Sequence, residues 1–154
     1  MRFPTTVWHR GALASVPPEY RSLERVLLPA IDLTLLYFGY SSLRYGSKIV
    51  DDITEPWFQY AWGTLVLGGV LVSMIGLIFI KPRLEVNARV FVFIGFLIYG
   101  WATFQYILAG QDTSNLTISL ILIRLIAIGW RVWFLWSRIG KMEADELRKQ
   151  ATTP

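Results

Sequence analysis

The chain has 154 residues, of which 54% are hydrophobic, 15% aromatic and only 17% charged. Soluble domains carry about 25% charged residues, so this composition argues against a freely dispersed protein, and the length leaves room for one compact bundle. The absence of cysteine removes disulfides, thiolate metal sites and cysteine nucleophiles.

The one histidine, His9, sits in a polar N-terminal segment with no second ligand nearby. It reads as a solvated tail residue, so no metal or cofactor is expected. The formal charge is +4, but most basic residues flank apolar stretches. Such flanks orient membrane helices and face anionic headgroups, which points to a lipid bilayer as the partner and away from nucleic acid.

Residues 1–25 carry four arginines and three prolines and read as a cytoplasmic tail. No apolar core with a small-residue cleavage site follows directly, unlike a typical signal peptide. A first span is predicted over residues 26–45. It contains Pro29 and Asp32 and is the least hydrophobic of four, so a kink is expected there. Residues 46–56 form a polar connection whose end, Thr54-Glu55-Pro56, reads as a helix start, with a cap, an acid near the positive dipole and proline in the first turn.

The second span, residues 57–80, contains no charge and exceeds the ~20 residues that cross a bilayer. Lys81-Pro82-Arg83 should end it. A third span is predicted over 88–109, a polar turn over 110–115, and a fourth span over 116–136. The fourth helix should continue into a charged cytoplasmic tail, 138–154, that frays after residue 150. Asn115-Leu116-Thr117 matches a glycosylation pattern but abuts the membrane and is taken as chance. The fold expected is all-α, a polytopic four-helix transmembrane bundle occupying residues 26–137.

With the N-terminus inside, the inner segments hold eleven Lys and Arg residues and the outer loops hold two, Arg44 and Lys48. The positive-inside rule then places both termini in the cytoplasm. Trp57 and Trp62 gather at the outer start of the second span, and Trp130, Trp133 and Trp136 at the inner end of the fourth. These are expected to be interfacial anchors. Gly63, Gly68, Gly69, Ser73 and Gly76 make the second span rich in small residues that allow close helix packing.

Charges inside spans are costly and mark candidate sites. Asp32, Arg124 and Arg131 are the three. Depth along the helices pairs Asp32 with Arg131 more naturally than with Arg124. Arg124, Arg131 and Arg138 recur every seven residues and share one helix face. That face reads as a polar seam between helices, with a hydrated path as the competing reading. No serine–histidine–acid set, phosphate-cradling loop or catalytic carboxylate pair is present, so no catalytic residue is expected.

The basic tail, Leu28-Pro29-Ala30-Ile31-Asp32, Phe38-Gly39-Tyr40 and the short polar loop after them resemble small four-span membrane proteins of actinobacterial bacteriophages. The resemblance is one of layout, covers about residues 20–138, and implies a holin-like role. Such proteins self-associate in the host inner membrane and permeabilise it, so a homo-oligomer is implied. Two other functions compete. A carboxylate in the first of four spans also resembles small multidrug exporters that couple protons to cation efflux. Here, however, an aspartate stands in place of glutamate, and Arg124 and Arg131 oppose a cationic substrate. The remaining possibility is a non-enzymatic accessory protein that binds other membrane proteins through its two tails.

Overall fold

A computed structural model describes residues 6–9, 12–13, 16, 18–46, 48–52, 54–110 and 115–151. Among them all regular structure is helical. Helix α1 (Pro18–Ser22) passes through a π-helical turn (Leu23–Leu27) into α2 (Leu28–Tyr45). Pro29 explains part of this irregularity. It has no N–H, and its ring excludes the carbonyl four residues back, that of Arg25. That carbonyl is met instead by Trp8, whose Nε1–H donates to it at 3.1 Å. The departure from regular helix therefore falls at the start of the first span.

Helix α2 ends at Gly46, whose φ of +76° suits glycine. A short helix, α3 (Lys48–Asp51), follows, and then α4 (Pro56–Ile78). Proline opens α4 as expected, but the cap position falls on Glu55 and not Thr54, with no side-chain cap hydrogen bond. The helix closes with a Schellman motif: Ile80 N–H donates to Leu77 O at 3.3 Å and Lys81 N–H to Gly76 O at 2.7 Å. The residue in the left-handed region is Ile80, at φ +53°, where glycine is usual. Its side chain packs on Val7, Leu13 and Val16, which offsets a strained backbone.

Helix α5 (Pro82–Leu108) begins six residues before the predicted third span. It thereby takes in Glu85, one helical turn before Arg89. Helix α6 (Asn115–Ala151) has 37 residues, about 55 Å of helix. That is well beyond ~30 Å of hydrocarbon, so its charged C-terminal turns project past the span. Most of the turn predicted at 110–115, and residues 152–154, lie outside the described residues.

Four helical segments are long and apolar enough to cross a membrane: Tyr20–Tyr45, Trp57–Ile78, Pro82–Leu108 and Leu116–Asp145. Helix α2 packs on α4, α4 on α5, and α5 on α6. The central core is built from Leu35, Val66, Val70, Val92, Phe96 and Ile128 together with Trp62 and Tyr99. The N-terminal arm folds back beneath this bundle. Val7 N–H donates to Ile78 O at 2.9 Å, and Arg25 Nε to Val7 O at 3.3 Å. Arg83 and Glu143 pair at 2.6 Å across the same end. The described part of the arm, the α4–α5 turn and the far part of α6 thus share one end of the bundle.

The small residues of α4 are used unequally. A Cβ on Gly63 would meet Leu43, and one on Gly69 would meet Val92 and the Ala88 carbonyl. One on Gly76 would sit 2.6 Å from the backbone nitrogen of Glu85, whereas Gly68 faces open space. Ser73 is buried. These close approaches serve packing within one chain. Gly68→Ala is expected to leave stability unchanged or raise it by up to ~1 kcal/mol through helix propensity, read as the unfolding midpoint in an SDS titration from mild detergent.

Trp62 departs from its predicted place at the interface. It is 3% exposed, stacks on Tyr99 with ring centres 4.8 Å apart, and donates its indole N–H to Gly95 O at 2.8 Å. It is a core residue because the carbonyl of Gly95 can approach where no side chain intervenes. Trp62→Phe should cost about 1 kcal/mol, the net worth of one hydrogen bond, in the same unfolding measurement. Trp57, Trp130, Trp133 and Trp136 are all more than half exposed, as anchors at a membrane surface would be.

Candidate functional site: a buried chain of ion pairs

Five charged side chains meet inside the bundle, at the end that carries the N-terminal arm. Each is 5% exposed or less. Asp32, on α2, receives both terminal nitrogens of Arg89, on α5, at 3.2 and 3.1 Å. Arg89 Nε donates to Glu85 Oε1 at 2.9 Å, one helical turn back. The same Oε1 accepts Arg131 Nε from α6, also at 2.9 Å, and Glu85 Oε2 accepts Arg131 Nη2 at 3.2 Å. Arg131 then reaches Glu24, in the π-helical turn, with Nη1 at 2.8 Å and Nη2 at 2.9 Å. Read in order, the chain is Asp32–Arg89–Glu85–Arg131–Glu24.

Local structure positions each member. The π-helical turn holds Glu24 in the interior. Glu85 and Arg89 are four residues apart on α5, so they stack on one face. Gly76 lets the backbone of α4 come close to Glu85. The planar guanidinium suits such shared, two-pronged contacts with carboxylates. Taking any one of these ions out of water alone would be costly. Alternating signs and nearly complete hydrogen bonding make the burial tolerable.

The expected pairing of Asp32 with Arg131 is therefore replaced by two pairings. Asp32 belongs to Arg89, and Arg131 to Glu85 and Glu24. Depth placed Asp32 and Arg131 at a similar level, but Arg89 stands between them. Arg124 takes no part in the chain. It is half-buried and lines a cleft between α2 and α6. Arg138 lines a cavity of about 80 Å³ below the ion pairs, with Glu24, Glu85 and Arg131 on its wall. The three arginines of α6 thus all lie along the interior side of that helix, as a polar seam requires.

Glu24, Glu85 and Arg89 were not among the residues singled out from the sequence. The four-residue spacing of Glu85 and Arg89 was the available signal for two of them. Among the described residues no group of three or more His, Cys, Asp or Glu is placed to hold a metal ion.

Together, the fold and the site define a multi-pass helical membrane protein held by salt bridges between its helices. Comparison with protein-family models, curated proteins and solved structures finds no match to this chain.

Proposed function

We propose that the protein is non-enzymatic and works by association within the membrane, in a holin-like way. Copies collect in the inner membrane of a phage-infected bacterium, with both termini cytoplasmic, and permeabilise it together. The observation that carries this reading is the mutual engagement of the buried charges. Glu24, Asp32, Glu85, Arg89 and Arg131 each face another side chain of the same chain. Within one copy these charges bond one another, and the only space they line among the described cavities is the small one of about 80 Å³ beside Arg138, so leakage falls to an assembly of copies. Asp32, held by both nitrogens of Arg89, is poorly placed to exchange protons as a transporter would need. The layout resemblance to phage proteins supports the holin-like form, and the distribution of Lys and Arg supports the orientation.

A second reading, an accessory protein that binds other membrane proteins, is favoured by the far end of α6. There Met142 and Leu147 are exposed among charged residues. Inducible expression in a bacterium, followed by membrane potential, dye entry and chemical crosslinking, separates the two. Abrupt depolarisation with a high-order crosslinked ladder is expected of the holin-like protein. Stable accumulation without leakage would overturn that reading and leave the accessory one.

A further inference from the structure

The bundle is not closed all the way round. Contacts run α2 to α4 to α5 to α6, with no comparable contact between α2 and α6. Between those two helices a cleft of about 500 Å³ opens sideways, lined by Leu35 and Phe38 of α2 and by Ile121 and Arg124 of α6.

Two polar side chains on this side of the bundle lie within the spans and lack a partner. Arg124 is half-buried in the cleft and makes no hydrogen bond or ion pair among the described residues. Tyr37, on the outer side of α2, is 71% exposed and makes no hydrogen bond among them either. Tyr37 stands eight residues before the end of α2, about 12 Å. Arg124 stands nine residues after the start of α6, about 14 Å. Hydrocarbon at that depth offers no water, so a phenol and a guanidinium there each need a partner from protein.

The two lie at one level. Arg131 bonds Glu24, and α2 and α6 run in opposite directions from that contact. Arg124 is seven residues from Arg131, and Asp32 is eight from Glu24, so Arg124 is level with the turn around Asp32. Tyr37 is five residues further on, about 7 Å nearer the end opposite the N-terminal arm. Helical side chains lean toward the start of their own helix. Because α2 starts beside the arm and α6 at the opposite end, Tyr37 and Arg124 lean toward each other's level. Within one chain they still do not meet, because Tyr37 faces outward and Arg124 faces the cleft.

We propose that two copies pair through this side, about a twofold axis along the membrane normal, with the Tyr37 phenol of each accepting from Arg124 of the other. Rotation about such an axis preserves depth, so both contacts form together. The tyrosine ring adds a face that attracts a guanidinium. A surface that carries donor and acceptor at one level is complementary to itself. A small anion would leave water for a single guanidinium, since the Thr34 hydroxyl in the cleft wall already donates to Ala30 O, and it would leave Tyr37 unmet. The pairing rests on the association proposed above and supplies its first contact.

The chain has no cysteine, so introduced thiols report without background. Copies carrying Leu33→Cys and copies carrying Ile123→Cys, under different tags, are produced together in a bacterial membrane and oxidised. Both positions are more than half exposed, on the two helices that flank the cleft, and a disulfide between copies is expected. Phe91→Cys, at a similar depth but in the groove between α4 and α5, should not link to Ile123→Cys. Dimer affinity is then read by energy transfer between labelled copies in lipid vesicles as the protein-to-lipid ratio is varied. Tyr37→Phe removes one oxygen from an exposed ring and leaves the fold intact. It should weaken the dimer about a hundredfold, the loss of two charge-assisted hydrogen bonds. Adding Arg124→Gln to it should change the affinity by less than about twofold further, because both changes break the same contact. Unchanged affinity for Tyr37→Phe, or linkage through Phe91→Cys in place of Leu33→Cys, would overturn this interface and leave association through another face standing. No dimer at any ratio would overturn both, whether native mass spectrometry then finds lipid, an anion or another protein on the chain. The expected linkage without vesicle leakage would support the pairing and overturn the holin-like reading.

Discussion

Arg131→Leu should lower the stability of the bundle by about 3–5 kcal/mol, the cost of leaving a buried charge without its partner. The measurement is the midpoint of unfolding in an SDS titration from mild detergent. Arg131 holds Glu24 through two nitrogens and Glu85 through two contacts. Its loss does not affect these acids equally. Glu85 keeps Arg89, whereas among the described residues Glu24 has no other ion-pair partner. The double variant with Glu24→Gln should therefore recover much of the loss, and the double variant with Asp32→Asn should not. Equal recovery by both second changes would show that the charges act as a diffuse pool and not as the specific chain described above.

Gly76→Ala should be the most damaging of the small-residue changes in α4, at about 1–3 kcal/mol or somewhat more. The added methyl would stand 2.6 Å from the nitrogen and 2.9 Å from the Cα of Glu85. Those are backbone atoms at the start of α5 and cannot swing aside as a side-chain tip can. Moving them also moves the carboxylate that both Arg89 and Arg131 share. The effects of Gly76→Ala and Arg131→Leu should for that reason fall short of additivity in a double-mutant cycle. A cost no greater than that of Gly68→Ala, whose site faces open space, would disprove the close contact.

The four spans were legible because hydropathy over a ~20-residue window reports length and apolarity, which are all a crossing requires. The ion-pair chain was only half legible. Asp32 and Arg131 stood out because they interrupt apolar runs. Glu24 and Glu85 lie outside the spans drawn by hydropathy, which assigns such residues to water, and Arg89 stands one residue inside the edge of the third, where a cation reads as an interfacial flank. In the folded protein the N-terminal arm covers that end: Val7 and Leu13 share the wall of the small cavity with Glu24, Glu85 and Arg131. Burial there is tertiary and leaves no periodic trace. Trp62 was misread for a related reason. An indole near a span end fits an interfacial belt as well as a core, and only the approach of Gly95 decides between them.

The spread of the ion pairs along the chain has a consequence for how the protein is made. Glu24 lies 107 positions before Arg131, and Asp32 lies 57 before Arg89. A ribosome adding roughly 5–20 residues each second takes about 5–20 s to cover the longer gap. For that interval the first span, the least apolar of the four, holds Glu24 without Arg131, whereas Asp32 waits only until the third span brings Arg89. The first span is thus neutralised in two steps, Asp32 by the third span and Glu24 by the fourth.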